Sequence, residues 1–369
     1  MKLPLIILLN VVTILALLEG MLRVVAPVPL TGFQVQPCIF VNDPQLGYRY
    51  KPGSSGRTER FHEIDNLVQI NDLGFHDIDR PALLSAPQTN RPLQTNRPLR
   101  VLAFGDSFTA AIQVPIKDGW TRLLERQLTV KGKAAASTRP IEVINFGLGG
   151  TGTDIHLALM KEWVAKLKPD LVMLAFFFND VGDVWRKTAH YSCYKGFILN
   201  HQFDEQLVAL QKTVDEKYPY PWLTELTRAS FVLQAFNRHL DFAPNLNVQT
   251  AKPVVGKDVP EKISDLFAEM KSLVEAQGAE FVIVPVPPKP KDPPYPESFD
   301  VAQQPAADAH ARVLDVREAV RDYLDQRTLG PADMYWRHDG HFNKTGNALF
   351  ARAAADQLWP LIKKRSRGE

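Results

Sequence analysis

Residues 99–109 read Leu-Arg-Val-Leu-Ala-Phe-Gly-Asp-Ser-Phe-Thr, and this stretch decides the fold of the chain. The apolar run from Val101 to Phe104 is typical of a parallel strand that is buried on both faces. Ser107 follows directly after this strand, and in open α/β sheets ligands bind at the carboxyl ends of the strands. Ser107 is therefore a candidate nucleophile, with helix capping as the alternative role for its hydroxyl.

From residue 100 onward, strand-like and helix-like stretches alternate, which predicts a parallel sheet covered by helices on both faces. The expected strands lie at residues 101–104, 141–146, 171–178, 281–286 and 313–316. The expected amphipathic helices lie near residues 120–128, 155–167, 263–273 and 347–358. We predict an α/β domain over residues 100–369. An aromatic-rich insertion at about 181–258, with a helix near 222–238, is expected over the active-site end.

The chain begins with an apolar segment, Leu3 to Leu18, which lies between Lys2 and Glu19. Its length suits the core of a signal sequence and, when extended to Val25, a membrane span. We predict a signal anchor over residues 1–27 that leaves the rest of the chain in the periplasm or outside the cell. The alternatives are a cleaved signal peptide, which would give a secreted protein, and a buried core helix.

Residues 28–99 are rich in Pro, Gly, Asn and Asp and contain short extended runs, which predicts an irregular or β-rich leader and linker. The segment ends in the hexapeptide Gln-Thr-Asn-Arg-Pro-Leu, which occurs at residues 88–93 and again at 94–99. A duplicated polar segment with proline is typical of a linker. We therefore place the boundary of the main domain directly after it.

The composition argues against some partners. The chain has 43 Lys and Arg against 41 Asp and Glu, and its formal net charge of +2 argues against nucleic acid. The cysteines, Cys38 and Cys193, lack the spacing of metal ligands. They form either one disulfide, if the chain is exported, or two free thiols.

A glycine-rich segment follows the second expected strand. Gly147, Gly149 and Gly152 satisfy the G-x-G-x-x-G pattern between a strand and a helix, as in dinucleotide-binding proteins. The next strand, however, has no acidic residue at the expected distance, since Asp170 precedes it. The alternative is that these glycines leave backbone N–H groups free to donate to an oxyanion. We favour this second interpretation and expect no cofactor.

Further candidates lie at two other places. Asn179 follows the third expected strand, where its amide can donate toward the same sheet edge, or can start a turn. Asp339 and His341 lie on a predicted exposed loop, and an aspartate beside a histidine can orient the imidazole as a base for serine. His338 is the competing histidine. A metal on His338 and His341, or on Asp339 and His341, lacks a clear third ligand.

Together these four places resemble the motifs of the SGNH (GDSL-like) hydrolase superfamily, in particular its membrane-anchored branch. Gly105-Asp106-Ser107 is similar to the nucleophile block, and Gly150 to the glycine of the second block. Asn179, followed by Asp180, is similar to the third block. Asp339 and His341 are similar to the last block. The resemblance covers roughly residues 100–360 and implies a flavodoxin-like three-layer α/β/α sandwich with a parallel sheet.

The resemblance also implies roles for these residues. Ser107 would be the nucleophile, His341 the general base and Asp339 the acid that orients it. The oxyanion hole would consist of the backbone N–H groups of Ser107 and Gly150 and the side-chain amide of Asn179. No metal takes part in these roles.

Two positions depart from the family pattern. Phe177 stands where the third block usually has a glycine. The acid and the base usually stand three residues apart, whereas Asp339 and His341 are separated by a single glycine. Asp333 is therefore kept as an alternative acid.

The resemblance implies a serine esterase or deacylase that acts on an ester-bearing small molecule, lipid or glycan through a Ser107 acyl-enzyme. O-acetyl groups of a cell-envelope polysaccharide and a lipid ester are the expected substrates. One alternative is an O-acyltransferase that passes the acyl group to a carbohydrate hydroxyl. Another, from a different class, is a catalytically inactive module that binds carbohydrate or lipid.

Overall fold

The computed structural model describes residues 2–25, 35–36, 38–60, 63–81, 97–135, 139–184, 190–194, 197–201, 204–217, 219–240 and 259–366. Most of the duplicated hexapeptide, residues 88–96, lies outside the described residues. The same holds for parts of the predicted insertion, including residues 185–189 and 241–258.

Strands occupy both the leader and the main domain. They are β1 (Val35–Gln36), β2 (Phe40–Asp43), β3 (Gly47–Tyr50), β4 (Ser55–Arg60), β5 (Ile64–Gln69), β6 (Leu99–Gly105), β7 (Ile141–Gly147), β8 (Leu171–Phe176), β9 (His190–Tyr194), β10 (Phe197–His201), β11 (Glu280–Pro285) and β12 (Arg312–Val313).

Helices precede and surround these strands. They are α1 (Lys2–Val25), α2 (Ser107–Ala110), α3 (Trp120–Ala134), α4 (Thr153–Leu167), α5 (Asp180–Asp183), α6 (Asp204–Lys217), α7 (Pro221–Ala229), α8 (Phe231–Leu240), α9 (Val259–Glu275), α10 (Ser298–Asp308), α11 (Arg317–Asp325) and α12 (Lys344–Ser366).

The main domain is built on a parallel sheet with the strand order β12-β11-β8-β6-β7. Read from the β7 edge and numbered within the sheet, this is the flavodoxin-like order 2-1-3-4-5. The chain reverses direction across the sheet between β6 and β8, and ligands of such sheets bind at this point. The α/β fold predicted from the alternating pattern is confirmed.

The sheet is buried on both faces, as the continuous apolar run in β6 predicts. Leu102 and Phe104 pack with helices α4 and α9 on one face. Val101 and Ala103 pack with helices α3 and α12 on the other. Each fully buried side chain of the size of Phe104 stabilises the fold by roughly 1.5–3 kcal/mol. This two-sided burial fixes the end of β6, and with it the position of Ser107.

The leader contains the three-stranded sheet β1-β4-β5 and the hairpin β2-β3, both antiparallel. Cys38, next to β2, forms a disulfide with Cys193 on β9. Of the two alternatives for the cysteines, the structure therefore shows the single bridge. The bridge joins the leader to the predicted insertion, whose strand β9 packs on β2 and β3.

Helix α1 is apolar along most of its length and projects from the domain. Residues Leu3–Val25 have a mean hydropathy of 2.5, and their most apolar part is not buried at all. The helix is therefore long and apolar enough to cross a membrane, and it is not the buried core helix of the third alternative. A signal sequence has the same properties.

Several predicted elements have different bounds in the structure, among them the third strand, the last strand and the helix of the insertion. The third strand ends at Phe176 rather than at residue 178, because the chain turns into helix α5 there. The last strand covers only Arg312–Val313. The single helix expected near 222–238 is two helices, α7 and α8, separated by Ser230, whose extended backbone (φ −116°, ψ 122°) cannot continue a helix.

Candidate active site

Ser107 stands at the carboxyl end of β6, at the start of helix α2. Asp106 caps this helix, since its Oδ1 accepts the backbone N–H of Phe108 at 2.9 Å. The capping role considered for Ser107 is therefore wrong, and its hydroxyl is available for another partner. A Cβ at Gly105 would lie 2.3 Å from Thr109 Oγ1, so only glycine allows the helix to turn back tightly on the strand.

The hydroxyl of Ser107 is bonded to His341, which in turn is bonded to Asp339. His341 Nε2 lies 2.7 Å from Ser107 Oγ, and His341 Nδ1 lies 2.5 Å from Asp339 Oδ1. The same Asp339 oxygen accepts the backbone N–H of His341 at 2.9 Å. Because the carboxylate accepts the Nδ1–H hydrogen bond, Nε2 is left as the acceptor for the serine hydroxyl.

Asp339 itself is buried, with 4 % of its surface exposed. The turn signal at this position predicted an exposed side chain, and that prediction is wrong. The carboxylate points into the protein because it accepts both N–H groups of His341. Burial between these donors favours a fixed geometry for the acid and the base.

The competing residues have other partners. Asp333, the alternative acid, accepts the backbone N–H of Gly330 at 2.8 Å and is exposed. His338 is exposed, and its backbone N–H is bonded to Glu63. Among the residues that the structure describes, no group of three His, Cys, Asp or Glu side chains could hold a metal ion.

The predicted oxyanion donors have no partner among the described residues. The backbone N–H groups of Ser107 and Gly150 form no hydrogen bond there, and neither does the side-chain amide of Asn179. The loop of the second block lies against the nucleophile, since a Cβ at Gly149 would be 3.5 Å from Ser107 Cβ. Gly150 has φ +76°, a conformation that favours glycine.

A model of the GDSL-like lipase/acylhydrolase family matches residues 103–349, more than half of the chain. The chain belongs to the GDSL-like lipase/acylhydrolase family. The resemblance predicted from the four motifs is thereby confirmed, and the protein is a hydrolase of ester bonds. Comparison with curated proteins finds no match.

Solved structures with the same general architecture include several hydrolases. The crystal structure of TesA is 18 % identical and covers 71 % of this chain and 99 % of its own, with a TM-score of 0.41. A catalytic mutant of Axe2, an acetylxylan esterase from Geobacillus stearothermophilus, is 19 % identical. It covers 71 % of this chain and 95 % of its own, with a TM-score of 0.39. Likeness at this level carries no information on substrate.

The glycines of this GDSL-like hydrolase allow close backbone packing around the nucleophile. A Cβ at Gly147 would lie 2.1 Å from the backbone N of Ala110, in the turn that carries Ser107. A Cβ at Gly152 would lie 2.5 Å from the backbone N of Val184. These contacts account for glycine at both positions without a bound dinucleotide.

Buried carboxyl groups lie beside the nucleophile. Burial raises the pKa of Asp106 to about 6, and the nearby charge of Asp183 also raises it, against the opposing effects of the Phe108 N–H and His341. Burial, together with the neighbouring Asp106, holds the pKa of Asp180 well above its usual range. Asp106 Oδ2 is 3.4 Å from Ser107 Oγ, farther than His341 Nε2, so the histidine is the stronger partner of the hydroxyl.

Leader residues outside the four motifs contact the site. Tyr48 donates its hydroxyl hydrogen to the carbonyl of Gly149, and Tyr50 Oη accepts the N–H of the same residue at 3.2 Å. Glu63 accepts the N–H of Asp339 at 3.0 Å. No motif marks these residues, because they lie before the family domain and meet the site only in the folded chain.

Aromatic rings form a row that starts at the histidine. Phe108 lies 5.1 Å from the His341 ring and 4.4 Å from Phe177, between ring centres. Phe177 is followed by Phe178 at 4.5 Å, and Phe178 by Tyr295 at 5.1 Å. Phe177 occupies the position where the family usually has glycine, so this departure supplies one ring of the row.

Proposed function

We propose that this protein is a serine esterase or deacylase in which Ser107, His341 and Asp339 form the catalytic triad. The observation that carries the proposal is the unbroken chain of hydrogen bonds from Ser107 Oγ through His341 to Asp339, at 2.7 Å and 2.5 Å. Such a chain allows the histidine to take the serine proton while the carboxylate stabilises the imidazolium that forms.

In the first half of the reaction, Ser107 Oγ attacks the carbonyl carbon of the ester and its proton passes to His341 Nε2. The carbonyl oxygen becomes an oxyanion, which the N–H groups of Ser107 and Gly150 and the Asn179 amide bind in the proposed mechanism. The tetrahedral intermediate then expels the alcohol, which takes the proton from His341. The acyl group remains on Ser107 as an ester.

In the second half, His341 removes a proton from a water molecule, and the hydroxide attacks the acyl-enzyme carbonyl. The same donors stabilise the second oxyanion. Collapse of this intermediate releases the carboxylic acid and returns the proton to Ser107. Atoms and charges balance over the two halves, and no other group is needed.

The proposed substrate is an ester carried by a glycan or lipid of the cell envelope. The partly exposed rings of the aromatic row, Phe177, Phe178 and Tyr295, support this, because sugar rings and acyl chains can pack against their apolar faces. Lys291 lies 4.8 Å above the Tyr295 ring at the far end of the row. The row therefore offers an apolar wall with a cationic end.

We further propose that residues 1–27 anchor the protein in a membrane and that the catalytic domain, residues 100–369, lies outside the cytoplasm. The exposed apolar helix α1 supports the anchor. The Cys38–Cys193 disulfide supports the location, because disulfides persist in the periplasm and outside the cell. Residues 28–99 would then be the leader between the anchor and the hydrolase domain.

The test is a panel of acyl esters, from acetyl to long chains and including acetylated sugars, hydrolysed by wild type and by Ser107→Ala. We expect hydrolysis of part of the panel by wild type and none by the variant. Equal hydrolysis by both proteins would refute the proposal. Acyl groups recovered on an added glycan instead of in free acid would identify the acyltransferase.

A further inference from the structure

The end of helix α1 is fixed to the junction of helices α7 and α8. Glu19 accepts the backbone N–H groups of Phe231 and Val232, each at 3.0 Å, and the hydroxyl of Ser230 at 2.9 Å. It therefore caps the start of α8, where N–H groups have no partner within the helix. Arg23 donates to the carbonyl of Ala229 at 2.7 Å, at the end of α7.

This junction lies where the apolar run of α1 ends. Leu3 to Leu18 is apolar and reaches roughly 24 Å as a helix. The hydrocarbon core of a bilayer is about 30 Å thick. A helix that begins at one edge of the core with Leu3 therefore brings Glu19 to within roughly 6 Å of the opposite edge, next to the membrane surface. Glu19 and Arg23 then place the α7–α8 junction at that surface.

Both helices expose apolar side chains on either side of the junction. On α7, Trp222 and Leu226 are four residues apart and are 63 % and 49 % exposed. On α8, Phe236 and Leu240 have the same spacing and are 49 % and 67 % exposed. Side chains four residues apart lie on one face of a helix. Each helix therefore presents an apolar face, and the exposed ring of Tyr220, just before α7, lies 6.1 Å from the ring of Trp222.

We propose that helices α7 and α8 lie on the surface of the phospholipid bilayer that α1 spans, with these apolar faces in the headgroup region. Amphipathic helices bind membranes in this way, and Trp and Tyr are enriched at this depth. The proposal rests on the membrane anchor proposed above. It assigns the predicted insertion a role in holding the hydrolase domain at a fixed height above the membrane.

The test uses the full chain reconstituted in phosphatidylcholine vesicles that contain a phospholipid with a nitroxide quencher near its headgroup. Trp222→Phe is compared with wild type, and Trp163→Phe, which removes a ring packed against Phe146, is the matched control. We expect lipid-dependent quenching of tryptophan fluorescence in wild type and in Trp163→Phe. In Trp222→Phe this quenching is lost.

Flotation of the vesicles separates the two proposals. Protein that does not float with the vesicles refutes the anchor. Protein that floats but shows equal quenching in wild type and Trp222→Phe, or no quenching, refutes the surface helices and leaves the anchor intact. A dimer that shields Trp222 from the lipid would give this second result.

A different observation concerns the loop that carries the proposed acid. Glu63, in the turn between β4 and β5, accepts three consecutive backbone N–H groups of this loop. They belong to Arg337, His338 and Asp339, at 2.8, 2.8 and 3.0 Å. A carboxylate bound by several N–H donors forms strong, charge-assisted hydrogen bonds. The leader thus holds the segment directly before His341.

The carbonyl groups of the same loop are held from the other side. Lys289, after β11, donates to the carbonyls of Trp336 and Arg337 at 2.7 and 2.6 Å. The loop backbone therefore lies between a carboxylate on its N–H side and an ammonium on its carbonyl side. Its conformation determines where Asp339 meets His341 Nδ1.

We infer that Glu63 is a positioning residue for the acid–base pair, and that the leader is part of the working hydrolase. This inference rests on the proposed triad. Glu63 touches no reacting atom and acts through the backbone of Asp339. Small displacements of a catalytic group lower rates strongly, since a shift of about 1 Å can cost roughly 100-fold.

The test compares Glu63→Gln with Asp65→Asn, which removes a carboxylate from the same hairpin, where it is paired with the exposed Arg57. We expect kcat of Glu63→Gln to fall by roughly 10-fold or more, with KM nearly unchanged. The acidic limb of its pH–rate profile should move to lower pH, because the imidazolium loses part of its carboxylate partner. Asp65→Asn should match wild type.

The substitution is also made in an Asp339→Asn background. If Glu63 acts through Asp339, its loss costs little further activity there. A fall of the same size in both backgrounds, or an unchanged pH profile, would overturn the positioning role. If Ser107→Ala keeps wild-type activity, the triad itself fails, so the two outcomes are distinct.

Discussion

His341 Nε2 lies 2.7 Å from Ser107 Oγ, although 234 positions of sequence separate the two residues. If they act as one unit, Ser107→Ala and His341→Ala should each lower kcat by roughly 10⁴-fold to 10⁶-fold. The double variant should lose only a few-fold more, since each change alone already disables the unit. Steady-state kinetics on one ester measure this. If the loss of kcat in the double variant equals the product of the two single losses, the two residues have independent roles.

Asp339 and Asp333 are the two carboxylates that the sequence leaves open as the acid. Asp339→Asn should lower kcat by roughly 10⁴-fold, because an amide at Nδ1 favours the wrong tautomer of His341. Asp333→Asn should change kcat little, since this exposed side chain bonds to the Gly330 N–H, away from the histidine. Steady-state kinetics of the two variants decide which carboxylate is the acid. Thermal unfolding of both variants checks that they are folded. The reverse order of effects would assign the acid to Asp333.

Tyr48 fixes the peptide group that supplies the Gly150 N–H. Its hydroxyl donates to the Gly149 carbonyl, and in a planar trans peptide the C=O and the following N–H point in opposite directions. Tyr48→Phe should therefore lower kcat by roughly 10-fold to 100-fold with little change in KM. The matched control is Tyr323→Phe, which removes the hydrogen bond from the Tyr323 hydroxyl to Asp356 and leaves the Gly149 contact intact. Equal kcat in Tyr48→Phe and wild type would contradict this role.

His156 supports the same loop and should affect stability in acid. Thr151 Oγ1 donates to the Leu148 carbonyl, so it accepts the Nε2–H of His156, at 3.1 Å, and leaves Nδ1 without a partner among the described residues. Burial lowers the pKa of His156 from 6.5 to about 3. Between these values the unfolded chain binds a proton that the folded chain does not, so the free energy of unfolding falls as the pH falls.

Replacement of His156 by Gln keeps a donor to Thr151 and removes the titrating group. Below about pH 6, the free energy of unfolding of His156→Gln should therefore depend less on pH than that of wild type. The difference in slope approaches about 1.4 kcal/mol per pH unit. Urea unfolding from about pH 7 to about pH 4 measures it. Parallel curves for the two proteins would show that His156 is not a buried neutral histidine.

The strand ends that carry the site could be predicted from local sequence. The apolar run before Ser107 and the alternation of strands and helices after residue 100 reflect burial of a parallel sheet on both faces. Burial of this kind gives a strand a short apolar run that can be read from local sequence. The motifs at Gly150 and Asn179 follow β7 and β8, so chain order and strand order together predicted that they lie at one sheet edge with Ser107. Asp339 and His341 follow a short 3-10 helix, Pro331–Met334, and their role was predicted from the family resemblance.

The contacts from the leader could not be predicted in this way. Tyr48 and Glu63 have no sequence pattern that distinguishes them from other polar residues of β strands and turns. Their partners are backbone groups 101 and 276 positions away, and backbone groups leave no trace in the sequence. The burial of Asp339 was missed for the same reason, because its partners are the two N–H groups of His341.

The central claim, that Ser107 is an activated nucleophile, is tested most directly by a fluorophosphonate probe. Phosphonylation should attach the probe to Ser107 Oγ in the full-length protein, and mass spectrometry should find it on the tryptic peptide of residues 101–117. We expect labelling of wild type, weak labelling of His341→Ala and none of Ser107→Ala. A folded wild-type protein that remains unlabelled at Ser107 would contradict the account. Labelling of Ser107→Ala to the same extent as wild type would contradict it as well.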